Sequence, residues 1–135
     1  MYAVVTIITN PSGQVLAVSR KDDPSDLGLP GGKIDEGETP IDAATREVFE
    51  ETGLTVVLEE QPIYVGPAGS KLREVGCFTA KEFSGELRQE PGSNAVVKWV
   101  NWSEITNPSV SYWAYNYVAS AWFRNKKVAD DNTFF

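Results

Sequence analysis

The 135-residue chain is long enough for one domain with a buried core, so we assign residues 1–135 to a single domain. Its content of 41% hydrophobic and 23% charged residues is typical of a globular protein and excludes the disordered and fibrous classes. A net charge of −7 disfavours electrostatic binding to long nucleic acids and to anionic membranes.

The reactive side chains limit the chemistry that the chain can perform. The sequence has no histidine, which excludes Ser-His and Cys-His mechanisms and disfavours a zinc site. Its single cysteine cannot form an internal disulfide. Because histidine is missing, carboxylates must carry any acid–base step. The sequence contains neither a signal-peptide pattern nor a membrane-spanning apolar run, so we expect a cytoplasmic location.

The first predicted elements are two strands. Residues 2–9 form an almost continuous β-branched run, residues 10–13 have turn composition, and residues 14–20 return as a second strand. This pattern predicts a hairpin. Arg20 and Lys21 end the second strand, and a polar loop is predicted for residues 22–26. A basic pair at this position is either solvated or available to a ligand.

The next predicted element is a helix over Pro40–Thr52. Thr39 is a favourable N-cap, Pro40 suits the first helical position, and Gly53 is a stop signal. At about 100° per residue, the apolar positions form one stripe and three glutamates gather on the opposite side. The stripe contains Ile41, Ala44, Thr45, Val48 and Thr52, and the acidic side contains Glu47, Glu50 and Glu51.

The acidic side of this helix requires a compensating charge. Glu47, Glu50 and Glu51 occupy the last turns, where the helix dipole disfavours negative charge and the like charges repel one another. Arg46 can pair with Glu50 one turn later, which leaves a carboxylate cluster that a divalent cation such as Mg²⁺ would balance. A solvated helix face is the alternative interpretation of the same glutamates.

Three strands and a second helix are predicted after the acidic helix. The strands cover residues 54–65, 72–83 and 96–102, with turn compositions at residues 66–67, 84–85 and 90–94. The final helix is predicted to begin near Pro108, with Asn107 or Thr106 as its N-cap. Aromatic residues outside its apolar stripe could support a dimer, so both a monomer and a homodimer fit the sequence.

One dense motif connects the acidic helix with the glycine-rich segment before it. The motif reads Gly32, five residues, Glu38, seven residues, and then REVFEETGL over residues 46–54. With ordinary residue frequencies, this pattern has a chance probability on the order of 10⁻⁸ in a chain of this length. It resembles the Nudix hydrolase signature G-x5-E-x7-R-E-U-x-E-E-x-G-U, with U aliphatic, at every fixed position.

This resemblance implies both a fold and a reaction. The fold is a Nudix-type α/β/α sandwich with a central mixed sheet, which the predicted order of strands and helices also favours. The reaction is hydrolysis of a nucleoside diphosphate linked to another group, with Mg²⁺ as cofactor and Mn²⁺ as its substitute. A small nucleotide is therefore the expected partner.

The resemblance also implies roles for individual residues. Arg46 is expected to hold Glu50, and Glu38 is expected to anchor the preceding loop to the helix. The general base is either Glu47 or Glu90, which belongs to the loop before the last strand. The implied metal ligands are the Gly31 carbonyl, Glu47, Glu50 and Glu51. The implied phosphate contacts are Arg20 and Lys21, and the structural motif positions are Gly32, Glu38 and Gly53.

The substrate remains open among several branches of the family. The LPGGKIDEGET segment at residues 29–39 and the basic pair Arg20-Lys21 look like the MutT-like branch, which cleaves nucleoside triphosphates, including oxidised (d)NTPs, to NMP and pyrophosphate. Asn107 lies where that branch can have a base-reading asparagine. The alternatives are hydrolases of ADP-ribose, sugar nucleotides or dinucleoside polyphosphates, and a Nudix module that binds a nucleotide without cleaving it. The complete set of motif glutamates favours an enzyme.

Overall fold

Two β-sheets and one long helix form the part of the chain that the computed structural model describes, residues 1–68 and 73–106. In chain order, the elements are β1 (Ala3–Ile7), β2 (Val15–Arg20), β3 (Asp23–Gly28), β4 (Gly31–Lys33), α1 (Pro40–Thr52), β5 (Thr55–Leu58), β6 (Tyr64–Ala68), β7 (Arg73–Ser84), β8 (Val97–Val100) and α2 (Ser103–Thr106). Neither helix within these residues is long and apolar enough to cross a membrane.

The larger sheet is mixed and is organised around β7. β1 pairs in parallel with β7 and antiparallel with β4, which gives the order β4-β1-β7-β5, and β6 also pairs with β7. The single strand predicted for residues 54–65 was wrong, because residues 59–63 separate β5 from β6. This segment contains Pro62, which has no N–H for a strand ladder. The predicted turn at residues 66–67 was also wrong, since both residues lie within β6.

The smaller sheet is antiparallel, with the order β3-β2-β8. β1 and β2 pair with each other only beside the turn that joins them, where Thr9 bridges to Val15. Beyond this bridge β1 pairs in the larger sheet and β2 in the smaller one, so the predicted hairpin forms only in part. The loop predicted for residues 22–26 was wrong in most of its length, since β3 begins at residue 23. The first three residues of β3 are exposed and include Pro24, which an edge strand tolerates.

α1 covers Pro40–Thr52, as the sequence predicts. The Thr39 hydroxyl accepts a hydrogen bond from the Asp42 N–H at 3.1 Å, and Gly53 ends the helix with a φ of 82°. The buried residues of the helix are Ala43, Ala44, Val48 and Thr52. Because two of these four side chains are only methyl groups, the helix backbone lies close to the sheet.

Apolar side chains form two clusters that share β1. Val4 packs with the buried face of α1, whereas Val5 and Ile7 belong to the opposite cluster, as the two-residue period of a strand requires. The cluster with α1 contains Val4, Ile8, Leu16, Ala43, Ala44, Val48, Leu54, Val56, Leu58 and Phe78. The result is an α/β fold in which α1 packs on a mixed sheet. The second helix layer, predicted from Pro108, lies outside the described residues.

β4 approaches β1 so closely that Gly31 has no space for a side chain. A Cβ at this position would overlap the Val4 carbonyl oxygen and would lie 2.8 Å from the Val5 Cα. We expect Gly31→Ala to lower the free energy of unfolding by about 3 kcal/mol, because only a movement of the strands relieves this overpacking. Urea unfolding measures the change, with the exposed Glu82→Ala on β7 as control. A loss below about 0.5 kcal/mol, the range of ordinary surface substitutions, contradicts the expectation.

Candidate active site

Arg46 lies at the centre of the candidate site and orients three glutamates. Its Nε donates to Glu38 Oε2 at 2.7 Å, and its Nη2 donates to Glu38 Oε1 at 2.9 Å. Such a two-pronged arginine–carboxylate pair is both strong and directional. Nη1 donates to Glu47 at 2.9 Å and to Glu50 at 2.8 Å. One guanidinium thus fixes the carboxylates of two consecutive helix turns.

The segment between β4 and α1 is bound to the same guanidinium. Glu38 also accepts the Asp35 N–H at 2.9 Å, while the Lys33 carbonyl accepts from Arg46 Nη2 at 3.3 Å. Asp35 Oδ2 lies 3.4 Å from Nη2. The hydrogen bonds from Arg46 and from the Asp35 N–H lower the pKa of Glu38 to about 2, because they favour the carboxylate form. Glu38 therefore joins the loop to the helix as a charged group.

Glu47 lies directly over β4. A Cβ at Gly32 would lie 2.6, 2.7 and 2.8 Å from the three carboxylate atoms of Glu47, so only glycine leaves space for this side chain. The Glu47 side chain is 17% exposed, and its burial raises its pKa, although the hydrogen bond from Arg46 acts in the opposite direction. A further cation beside the Glu47 carboxylate would therefore stabilise its charged form.

Glu51 binds the backbone of β4. Its Oε1 accepts the Gly31 N–H at 2.8 Å. Burial raises the pKa of Glu51 to about 8 against the effect of this hydrogen bond, and the charges of Glu47 and Glu90 add to the rise. The N–H and the carbonyl of one strand residue point to the same side, so the Gly31 carbonyl also faces away from β1 and toward α1.

Two charged side chains outside α1 lie near the same carboxylates. The charge of Glu90 raises the pKa of both Glu47 and Glu51, and the charge of Lys21 lowers that of Glu51. Both groups are therefore within electrostatic range of the acidic face of α1. Glu90 enters from the loop after β7, and Lys21 from the turn between β2 and β3.

The two other residues expected to bind substrate have different positions. Arg20 Nε lies 3.2 Å from Asp22 Oδ1 and 4.0 Å from Asp26 Oδ2. These ion pairs join the end of β2 to β3, so a phosphate would have to compete with carboxylates for this guanidinium. Asn107 lies outside the described residues.

The oxygen donors of the site are of the type that binds a hard divalent cation, although their positions do not form a ready metal site. Within residues 1–68 and 73–106, no three Asp, Glu, His or Cys side chains are arranged to hold a metal ion. Hydrogen bonds explain this, because Glu47 and Glu50 are turned to Arg46 and Glu51 to the Gly31 N–H. Carboxylate and carbonyl oxygens are nevertheless the donors that Mg²⁺ selects. Four carboxylates also contact the single guanidinium, which leaves negative charge for a cation to offset.

Two contacts at the site were missed by the sequence interpretation. The Lys33 carbonyl binds Arg46 only because the loop folds back on the helix. Arg88 donates to the carbonyls of Phe49 and Glu50, 39 and 38 residues earlier in the chain. The only signal for this contact was indirect: α1 has no basic residue in its last turn, where its dipole favours one.

Comparisons with known proteins agree with this architecture. The NUDIX domain model matches residues 1–123. A Bacillus subtilis (strain 168) protein, whose name marks it as a candidate 8-oxo-dGTP diphosphatase, is 36% identical over 96 residues, which are 70% of this chain and 62% of that protein. An RNA pyrophosphohydrolase of Bartonella quintana (strain Toulouse) is 39% identical over 64 residues, 45% of this chain and 36% of that protein. The chain thus spans less than two thirds of the length of both relatives.

A solved structure extends the similarity to most of the chain. The MutT NUDIX hydrolase from Burkholderia pseudomallei has a TM-score of 0.69 with this chain at 26% identity. The similarity covers 87% of this chain and 93% of that chain. The mixed sheet with α1 packed on it is therefore an arrangement that the two proteins share.

The hydrogen bonds of Glu38 make the stability of the protein depend on pH in acid. Glu38 stays ionised in the folded state until its pKa near 2, whereas in the unfolded chain it takes up a proton near its ordinary pKa of 4.5. Its contribution to stability is therefore present above about pH 5 and is lost as the pH falls toward about 2. Urea unfolding of Glu38→Gln at several pH values measures this. We expect the difference from wild type to shrink over that range, while the exposed Glu36→Gln serves as control. Parallel pH curves for wild type and Glu38→Gln contradict the assignment.

Proposed function

Because the chain belongs to the NUDIX domain family, we propose that it is a Mg²⁺-dependent pyrophosphohydrolase with one domain over residues 1–135. Its substrate would be a nucleoside triphosphate or an oxidised (d)NTP, cleaved to NMP and pyrophosphate. The observation that carries this proposal is the Arg46 network, which holds Glu47 and Glu50 on the helix face that also bears Glu51. A cation on this acidic face would find its remaining ligands in the phosphates of a nucleotide.

The choice of substrate class rests on two observations. The Bacillus subtilis relative is named for 8-oxo-dGTP, which supports a modified nucleoside triphosphate. The net charge of −7 favours a small nucleotide over a long RNA, because a polyanion is repelled by an acidic protein. ADP-ribose, sugar nucleotides, dinucleoside polyphosphates and a non-catalytic nucleotide-binding function are the alternatives.

The metal ligands in this proposal come from α1 and β4. Glu47, Glu50, Glu51 and the Gly31 carbonyl would hold Mg²⁺, which when bound screens the phosphate charges and lowers the pKa of a water molecule. Arg46 keeps Glu47 and Glu50 oriented and is itself held in place by Glu38. The glycine pair of β4 lets these carboxylates lie against the backbone.

The hydrolytic step also requires a base and phosphate contacts. Glu90 or Glu47 accepts a proton from the attacking water, whose oxygen forms a bond to phosphorus. The anhydride P–O bond breaks in the same step, and its electron pair leaves with the departing product, which is pyrophosphate or NMP according to the phosphorus that is attacked. Lys21 lies within electrostatic range of the acidic face, where its charge would attract a substrate phosphate. Arg20 and Asn107 complete the proposed set of substrate contacts.

Chromatographic separation of the nucleotide products from a substrate panel, together with an assay of pyrophosphate release, tests the proposed function. The panel contains nucleoside triphosphates, oxidised dNTPs, ADP-ribose, sugar nucleotides, dinucleoside polyphosphates and a 5′-triphosphorylated RNA. We expect pyrophosphate release from the triphosphates with Mg²⁺ or Mn²⁺ and none with EDTA. Metal-dependent cleavage of another class corrects the substrate. No cleavage, together with thermal stabilisation by Mg²⁺ and a nucleotide, supports the binding function instead.

Glu51→Gln is expected to lower kcat by more than about 10²-fold, because charge at a phosphoryl-transfer site typically contributes this much. Gln retains an acceptor for the Gly31 N–H but lacks the charge of a metal ligand. Steady-state pyrophosphate release measures the effect. Glu36→Gln, at an exposed loop position, is the matched control, and thermal unfolding in EDTA shows whether both variants fold. Wild-type turnover of Glu51→Gln at saturating Mg²⁺ would reject the metal assignment.

A further inference from the structure

The C-terminal end of α1 carries more negative charge than the helix can balance. Of its last four carbonyls, that of Phe49 accepts the Gly53 N–H at 2.9 Å, and a helix supplies no regular donors to the others. The helix dipole places negative potential at the same end. Glu47, Glu50 and Glu51 lie in the last two turns, Arg46 pairs with the first two of them, and the last turn itself has no basic residue. A cation from a distant part of the chain would therefore stabilise this end.

Arg88 supplies that cation from the segment after β7. Its Nη1 donates to the Glu50 carbonyl and its Nη2 to the Phe49 carbonyl, each at 2.9 Å. Its backbone N–H donates to the Thr52 carbonyl, also at 2.9 Å. The guanidinium carbon lies 5.3 Å from the centre of the Phe49 ring, within the range of a cation–π contact. Three hydrogen bonds and one ring contact thus fix Arg88 on the end of the helix.

Gly53 gives Arg88 the space for these contacts. A Cβ at Gly53 would lie 2.6 Å from Arg88 Cγ and 2.8 Å from the Glu86 carbonyl oxygen. The φ of 82° at Gly53 already favours glycine at the end of a helix. The same residue therefore ends α1 and lets residues 86–88 approach it.

Glu90 follows Arg88 by two residues. Two residues of extended chain span at most about 7 Å, so the fixed position of Arg88 restricts the position of Glu90. On its other side, the Glu90 carbonyl accepts the Ser93 N–H at 3.0 Å, which closes a turn. The Glu90 carboxylate lies within electrostatic range of Glu47 and Glu51. The residues around the candidate base are thus bound to α1 on one side and closed into a turn on the other.

We propose that Arg88 is a positioning residue, which anchors residues 86–90 on α1 and thereby holds Glu90 beside Glu47 and Glu51. This inference rests on the proposed function, in which Glu90 accepts the proton of the attacking water. Arg88 acts through the helix carbonyls and through the loop that follows it. The competing explanation is that Arg88 only caps α1 and has no influence on Glu90. The two roles predict different effects of replacing Arg88.

The first experiment compares Arg88→Met with Arg88→Lys. Met keeps the apolar stem and removes the guanidinium, and we expect kcat to fall about 10-fold with KM changed less than about 2-fold, because a displaced reacting group slows the reaction itself. Lys can still donate to the helix carbonyls and should recover most of the lost kcat. Arg73→Met is the matched control, since Arg73 lies over the Tyr2 ring at 4.3 Å. We expect its kcat to equal that of wild type.

A double-mutant cycle with Glu90→Gln identifies the positioning role. If Arg88 acts through Glu90, then Arg88→Met lowers kcat by less than about 2-fold once Glu90 has been replaced. An equal loss of kcat in both backgrounds overturns the proposal and leaves Arg88 as a helix cap alone.

Hydrogen exchange at the amide of residue 88 gives a measurement that does not depend on catalysis. This amide donates to the Thr52 carbonyl, and we expect Arg88→Met to accelerate its exchange about 10-fold as the loop opens more often. Unchanged exchange overturns the anchoring even in an active enzyme. A wild-type chain that cleaves no substrate of the panel rejects the proposed function, whereas faster exchange in its Arg88→Met variant still supports the anchoring.

Discussion

The contacts of the Arg46 guanidinium are the interaction on which the candidate site depends. Glu38, Glu47, Glu50 and Asp35 all lie within ion-pair distance of this group. Two like charges 4 Å apart repel by about 4 kcal/mol at an effective dielectric constant near 20. Without the guanidinium, the loop carboxylates would move away from those of the helix. A single side chain thus determines both the loop conformation and the orientation of the glutamates.

This arrangement places a second constraint on β4. Glu47 lies where a side chain of Gly32 would be, and Glu51 binds the backbone of Gly31. β4 must therefore have no side chain where it faces Glu47 and Glu51 of α1, and none where it packs against β1. Two adjacent glycines meet both demands, and the site is built from main-chain N–H and carbonyl groups as much as from side chains.

The sequence predicts those features that have local signals. The limits of α1 were predicted because Thr39, Pro40 and Gly53 act within one turn of the helix ends. β3 was missed because the polar composition of residues 23–25 is typical of a loop, and only pairing with β2 makes it a strand. Arg88 was missed for a similar reason, since no periodic pattern connects residues that lie 38 positions apart. The acidic face was predicted from spacing, whereas the hydrogen bonds that orient it depend on the folded loop.

The contacts of α1 also join parts of the chain that a ribosome makes at different times. The helix ends at Thr52, but β7, which pairs with β1, β5 and β6, covers Arg73–Ser84, and Arg88 follows it. A nascent chain that has emerged only to residue 60 carries the acidic helix without its central strand and without its cap. Pairing between distant segments is slow compared with helix formation. The site is therefore completed late in synthesis, although the motif that defines it has already been made at residue 54.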